Sequence, residues 1–229
     1  MATHLVTGAG SGIGAALAER LAERGDDLWL LVRDAGRAVQ LRERFPDAQT
    51  LVGDLSDPAR LSWAFSHQSV PPQLDSLIHV AGVVELGAVG ETPVATWQHQ
   101  LNVNAVSPAE LTRLMLPALR AARGRVVFVN SGAGLRVSPE WGSYAASKFA
   151  VRAIADALRE EERAHGVRVT TVYPGRTATP MQEKVHQQEG ADYDASQWIE
   201  PASVVSAILA ALDLPRDADL TELTIRPGA

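Results

Sequence analysis

Thr7-Gly8-Ala9-Gly10-Ser11-Gly12-Ile13-Gly14 is the stretch on which the fold class turns. It follows a short apolar run, His4–Thr7, and opens a segment where Ile13, Leu17 and Leu21 recur at helical spacing until Gly25. A strand that enters a helix through such a turn has a particular chemistry to offer. Glycines let the backbone bend tightly and approach a phosphate with no side chain in the way. The helix behind them contributes unpaired N–H groups and the positive end of its dipole. The turn therefore reads as a seat for the pyrophosphate of a dinucleotide.

The same alternation continues outward. Short apolar runs at Asp27–Val32, Thr50–Gly53, Ser76–Val80, Arg125–Asn130, Arg168–Tyr173 and Glu222–Ile225 are separated by longer segments of helical period. The central runs are apolar on successive residues, Val126-Val127-Phe128-Val129 most clearly, which suits strands covered on both faces. The pattern predicts an α/β fold, a Rossmann-type doubly wound three-layer αβα sandwich around a mostly parallel, seven-stranded sheet. No repeat or linker divides the chain, so residues 1–229 are expected to form one dinucleotide-binding domain. Two long helices are expected over 94–123 and 144–165, and a closing helix over 201–212. The polar stretch Arg176–Ser196 shows no clear period and is expected to be irregular.

Composition narrows the function classes. The 229 residues carry 21 Lys+Arg against 27 Asp+Glu, a formal charge of −6, which speaks against nucleic-acid or anionic-membrane partners. There is no cysteine, so disulfides, thiolate metal sites and cysteine nucleophiles are excluded, and no metal is expected. Met1-Ala2-Thr3-His4 lacks the basic start of a signal peptide, and no apolar run nears bilayer length. A cytoplasmic protein is the expectation.

The glycine spacing is Gly-x-x-x-Gly-x-Gly rather than the general Gly-x-Gly-x-x-Gly fingerprint. With Thr7 before it, the turn resembles that of the short-chain dehydrogenase/reductase family, in its compact single-domain branch. The resemblance extends over residues 3–227. It implies that Thr7, Gly8, Gly10, Ser11, Gly12, Ile13 and Gly14 hold a nicotinamide dinucleotide. The family's NAD-selecting acid position falls on Val32, and Arg33 follows it, which implies NADP(H) in preference to NAD(H). Asp34, one step on, suits the start of a helix instead. The resemblance also places Asp54 and Leu55 at the adenine. His79-Val80-Ala81-Gly82 stands where the family shows Asn-Asn-Ala-Gly, leaving Ala81 and Gly82 beside the adenosine ribose and making His79 a structural residue.

Tyr144-Ala145-Ala146-Ser147-Lys148 is the strongest chemical signal. On a helix, i and i+4 place the phenol and the ammonium on one face. A phenol of pKa near 10 exchanges protons poorly at neutral pH, and a neighbouring cation draws it toward the working range. Ser131 lies 13 residues before Tyr144, the spacing of the family's substrate-binding serine. Asn104, rather than Asn102, falls on the family's fourth catalytic position. The resemblance thus implies Tyr144 as proton donor or acceptor, Ser131 as the polarising hydroxyl, Lys148 as the cation that also holds the ribose, and Asn104 as the anchor of a proton-relaying water.

Pro174, Gly175, Thr177 and Thr179 match the family's segment beside the nicotinamide, and the stretch behind them, residues 176–200, is expected to form the substrate lid. Val84, Leu135, Val137, Trp141 and Met181, with Ser131 and Tyr144, are the expected substrate wall. Being mostly apolar, that wall implies a small hydrophobic carbonyl or alcohol as substrate. The expected activity is an NADP(H)-dependent oxidoreductase; the alternative is a non-catalytic dinucleotide sensor on the same fold. Phe149, Ile154, Ala157 and Leu158 carry more apolar surface than one sheet needs, so a homodimer or homotetramer is expected.

Overall fold

The computed structural model describes residues 1–228. Its strands are β1 (Thr3–Thr7), β2 (Asp27–Val32), β3 (Gln49–Val52), β4 (Ser76–His79), β5 (Arg125–Val129), β6 (Arg168–Pro174) and β7 (Glu222–Ile225). They form one seven-stranded sheet in the order β3-β2-β1-β4-β5-β6-β7. Every neighbouring pair is parallel, so the sheet is wholly rather than mostly parallel.

The helices α1 (Gly12–Glu23), α2 (Ala35–Arg44), α3 (Leu61–Ser66), α4 (Val94–Leu101), α5 (Ser107–Ala122), α6 (Gly142–Glu162), α7 (Pro180–Glu189) and α8 (Pro201–Asp213) complete the fold. One face of the sheet buries Val6, Ile78, Val127 and Val129 against Leu17 and Leu21 of α1, Leu41 of α2 and Val204 and Ile208 of α8. The other buries Leu5, Leu77, Val126 and Phe128 against Phe65 of α3, Leu111 and Leu119 of α5 and Val151 and Leu158 of α6. Successive strand residues thus serve opposite cores, which is why the runs are apolar throughout. Each such burial contributes roughly 1.5–3 kcal/mol. β1 is flanked by β2 and β4, and the chain winds away from it in both directions. That reversal opens a crevice at the C-terminal ends of β1 and β4, where such sheets bind ligands.

Three expectations are corrected. The helix over 94–123 is interrupted by a π-helical segment, Asn102–Val106, between α4 and α5. Pro108, in the first turn of α5, has no N–H to give the Asn104 carbonyl, so the regular ladder cannot run through. The stretch 176–196 contains α7, whose Gln182, Val185 and His186 face inward; two of those three are polar, which hid the helical period. Leu158 of α6 belongs to the core rather than to an outer face. No described helix is long and apolar enough to cross a membrane.

Candidate active site

The turn after β1 needs glycine for steric reasons at three of its four glycine positions. Gly8 adopts φ +76°, and a Cβ there would lie 2.8 Å from the Ala81 nitrogen. A Cβ on Gly14 would stand 2.2 Å from the Gly8 carbonyl oxygen, so only hydrogen fits. Gly12, at φ +52°, faces Thr179, whereas Gly10 stands in open space. Ser11 is the N-cap of α1, yet its side chain accepts no capping bond, and the first turn holds no acidic residue. The first N–H groups of α1 are therefore available to an anion, and the backbone lies bare beside them. These residues fit a dinucleotide pyrophosphate. Thr7 works behind the turn: its Oγ1 accepts from the Val80 and Ala81 N–H groups, each at 3.0 Å, joining β1 to the end of β4.

Across the crevice, α6 brings Tyr144 and Lys148 to the end of β5. The Tyr144 hydroxyl opens into the same cavity as that of Ser131, and the serine acts to lower the phenol's pKa. Ser131 Oγ also accepts from the Ala133 N–H at 3.1 Å, within the turn that follows β5. Lys148 Nζ lies 5.7 Å from the Tyr144 ring centre and donates to the Val129 carbonyl at 3.3 Å. Asn104 occupies the π-helical segment. Its Oδ1 accepts from Val83 N–H at 2.8 Å, and its Nδ2 donates to the Val83 carbonyl and to Ser147 Oγ, each at 2.9 Å. The amide thus fastens the chain after β4 to α6, close to Gly82 and Lys148.

One cavity of about 660 Å³ joins the two halves. It is lined by Gly8, Ser11, Gly12, Ile13, Gly14, Ala81, Gly82, Val84, Ser131, Trp141, Tyr144, Lys148, Pro174, Gly175, Thr177, Thr179 and Met181 among the residues expected from sequence. Leu135 and Val137 are not in its wall, and Val137 is 57% exposed. Arg136 and Ser138 line it instead. Arg33, Asp54 and Leu55 lie beyond the cavity at the ends of β2 and β3. Asp34 caps α2 by accepting from Arg37 N–H at 2.9 Å, and Arg33 remains exposed. Asp54 accepts from Ser56 N–H at 2.8 Å, in a turn.

The sequence pattern described as short chain dehydrogenase matches residues 2–190. The chain belongs to the short-chain dehydrogenase family. It is accordingly an NAD(P)-dependent oxidoreductase. An uncharacterised oxidoreductase of Staphylococcus saprophyticus is 30% identical over 97% of this chain and 96% of its own. A short-chain dehydrogenase from Burkholderia cenocepacia in complex with NADP superposes with a TM-score of 0.81 at 28% identity, covering 100% of this chain and 88% of its own. A 4-hydroxyisoleucine dehydrogenase complexed with NADH shares the fold, with a TM-score of 0.86 at 22% identity over 100% of this chain and 98% of its own.

Burial dominates the electrostatics of this short-chain dehydrogenase. It raises the Tyr144 phenol to about 12, opposed only by the neighbouring Ser131 hydroxyl. The loss of solvent around the ring is the larger influence on the phenol. Burial equally lowers Lys148 to about 8. His79 donates to or accepts from Thr112 Oγ1 at 2.9 Å, stacks on Phe128 and is lowered to about 3 by burial. It is a neutral core residue beneath the site.

Several wall residues escaped the sequence reading. Asn130 links β5 to α6, donating to the Lys148 carbonyl at 3.0 Å while its Oδ1 accepts from Ser131 N–H at 2.9 Å. A polar residue at the C-terminal end of a parallel strand was the available signal. Arg226 and Pro227 follow the end of β7 and could have been found by the same rule. Gln182, Val185 and Glu189 enter through α7.

Proposed function

We propose that this dehydrogenase interconverts a carbonyl and an alcohol with NADP(H), using Tyr144 as the proton donor and acceptor. The carrying observation is that Tyr144, Ser131 and Lys148 open into the same cavity as the glycine turn. When bound, the dinucleotide supplies or accepts the hydride. Tyr144 passes the proton to the carbonyl oxygen in reduction and takes it from the hydroxyl in oxidation. Ser131 donates to the same oxygen and holds it in place as negative charge develops. Lys148 provides positive charge beneath the phenol. Asn104, with its amide committed to Val83 and Ser147, keeps Lys148 and the chain after β4 in register. The segment 176–200 covers the cavity through α7 and acts as the substrate lid.

NADP(H) is favoured because the end of β2 offers an exposed guanidinium, while the neighbouring Asp34 carboxylate is engaged in capping α2. Solved relatives are complexed with NADP in one case and NADH in another, so the preference is carried by the end of β2 alone.

The test is Tyr144→Phe. The variant is expected to bind NADPH with unchanged affinity and to lose a factor of about 100 to 10,000 in kcat. Retained turnover would remove the proton-transfer role. Dinucleotide binding with no turnover by the wild type, across a broad set of carbonyl compounds, would favour the sensor.

A further inference from the structure

The cavity wall is more strongly charged than its apolar residues suggest. Arg136, Lys148, Arg176 and Arg226 face one acidic residue, Glu189. Arg176 and Glu189 neutralise each other through paired bonds of 2.8 and 2.6 Å. Lys148 is committed beneath the phenol. Arg136 and Arg226 remain, and neither forms an ion pair with a described residue. The chain carries a formal charge of −6, so two guanidinium groups at one mouth, unpaired among the described residues, are a local inversion of its field.

Arg226 is placed with particular closeness to the reacting centre. A Cβ on Gly132 would meet its Nη1 at 3.3 Å, its Nη2 at 3.6 Å and its Cζ at 3.7 Å. The guanidinium thus lies over the residue that follows Ser131, in space that the missing side chain leaves open. Its described bonds are two long ones from Nη1, 3.3 Å to the Tyr173 carbonyl and 3.4 Å to that of Ile225. No other described residue accepts from the fork. A guanidinium fork matches the two oxygens of a carboxylate.

We propose that the substrate is an oxo acid or hydroxy acid whose carboxylate is held by Arg226, with Arg136 adding positive charge at the rim. The proposal rests on the carbonyl–alcohol reading and adds the charge of the substrate. It replaces the small hydrophobic carbonyl or alcohol that the sequence implied. Because Arg226 covers the neighbour of Ser131, the carboxylate stands only a few bonds from the carbonyl. The pyrophosphate has its own seat at Gly8–Gly14, on the opposite side of the crevice from β7.

The experiment compares benzoylformate and 4-oxopentanoate with their methyl esters, following NADPH consumption. The wild type is expected to prefer the acid in at least one pair by about tenfold or more in kcat/KM. In Arg226→Gln the acid-to-ester ratio should fall toward one, and Arg226→Lys should restore part of it. A second arm needs no turnover: the enzyme–NADPH complex is titrated with benzoate and with benzamide. Benzoate should bind more tightly, and Arg226→Gln should erase the difference while the Kd for NADPH holds. Equal or better use of both esters by the wild type would overturn the proposal. So would an unchanged acid-to-ester ratio in Arg226→Gln, or a loss of NADPH affinity large enough to explain the kinetics. If no carbonyl compound is reduced at all, the reaction assignment falls, and the benzoate titration alone decides the carboxylate site.

Discussion

At Lys148 an ammonium is buried with, among the described residues, a single 3.3 Å bond to the Val129 carbonyl and no carboxylate partner. Its pKa falls to about 8, against about 10.4 in an unfolded chain. Between those values the unfolded state binds more protons, so stability rises with pH from about 8 to 10.4. Below pH 8 the full penalty is present. Urea unfolding at pH 7 and pH 10 should show the wild type gaining roughly 2–3 kcal/mol relative to Lys148→Met. No difference in slope between the two proteins would mean that the ammonium is not desolvated. Tyr144, raised to about 12, keeps its proton throughout this range, so an alkaline loss of reduction should follow Lys148. Arg33 gives a second residue-scale expectation. Arg33→Ala should weaken NADPH binding by about one to two decades and spare NADH, and an equal loss for both would make the residue structural. The side chains at this scale were legible where chemistry demands a rare combination, as with Tyr144 and Lys148. Arg136 was not, because a surface arginine and a site arginine look alike in sequence, and Arg226 was marked only by its place just past β7.

The π-helical segment between α4 and α5 is the element on which Asn104 depends. Widening the helix by one residue turns the amide toward Val83, where it makes two bonds to one residue and a third to Ser147. Pro108 enforces the widening by withholding its N–H and crowding the carbonyl four residues before it. Pro108→Ala should let the regular helix close and swing Asn104 out of register. The expected result is a loss of at least tenfold in kcat with no fall in Tm, since alanine favours the helix. Unchanged kcat would show that Asn104 is held by its partners alone. Pro108 was the visible warning in the sequence, outweighed by the long apolar period on either side. The strands were easier to see, since burial on both faces leaves unbroken runs such as Val126–Val129. α7 was harder, because Gln182 and His186 form part of its inward face and pair with each other at 3.0 Å.

For the whole molecule, the outer face of α6 is the surface to test. Ala146, Phe149, Ala153 and Ala157 are exposed at helical spacing, and Phe149 is 40% exposed. Light scattering at micromolar concentration should give a dimer or tetramer, and Phe149→Glu should shift the mass toward the monomer. A monomeric wild type would refute the pairing. Nothing in the sequence distinguishes Phe149 from a core residue except its place in the helical period, and Leu158, read the same way, belongs to the core. The joint between β1 and β4 has a consequence in time. His4 and Ser76, hydrogen-bonded across this pair, are 72 residues apart in the chain. By contrast, β1, β2 and β3 pair through short local crossings. Closing the longer loop costs entropy before any contact offsets it, so this pairing lags in refolding. Gly8 rests against Ala81 at that joint, and the phosphate seat is incomplete until the two strands meet. Dinucleotide affinity in a refolding mixture therefore emerges late, and its appearance serves as a clock for the assembly of the sheet's centre.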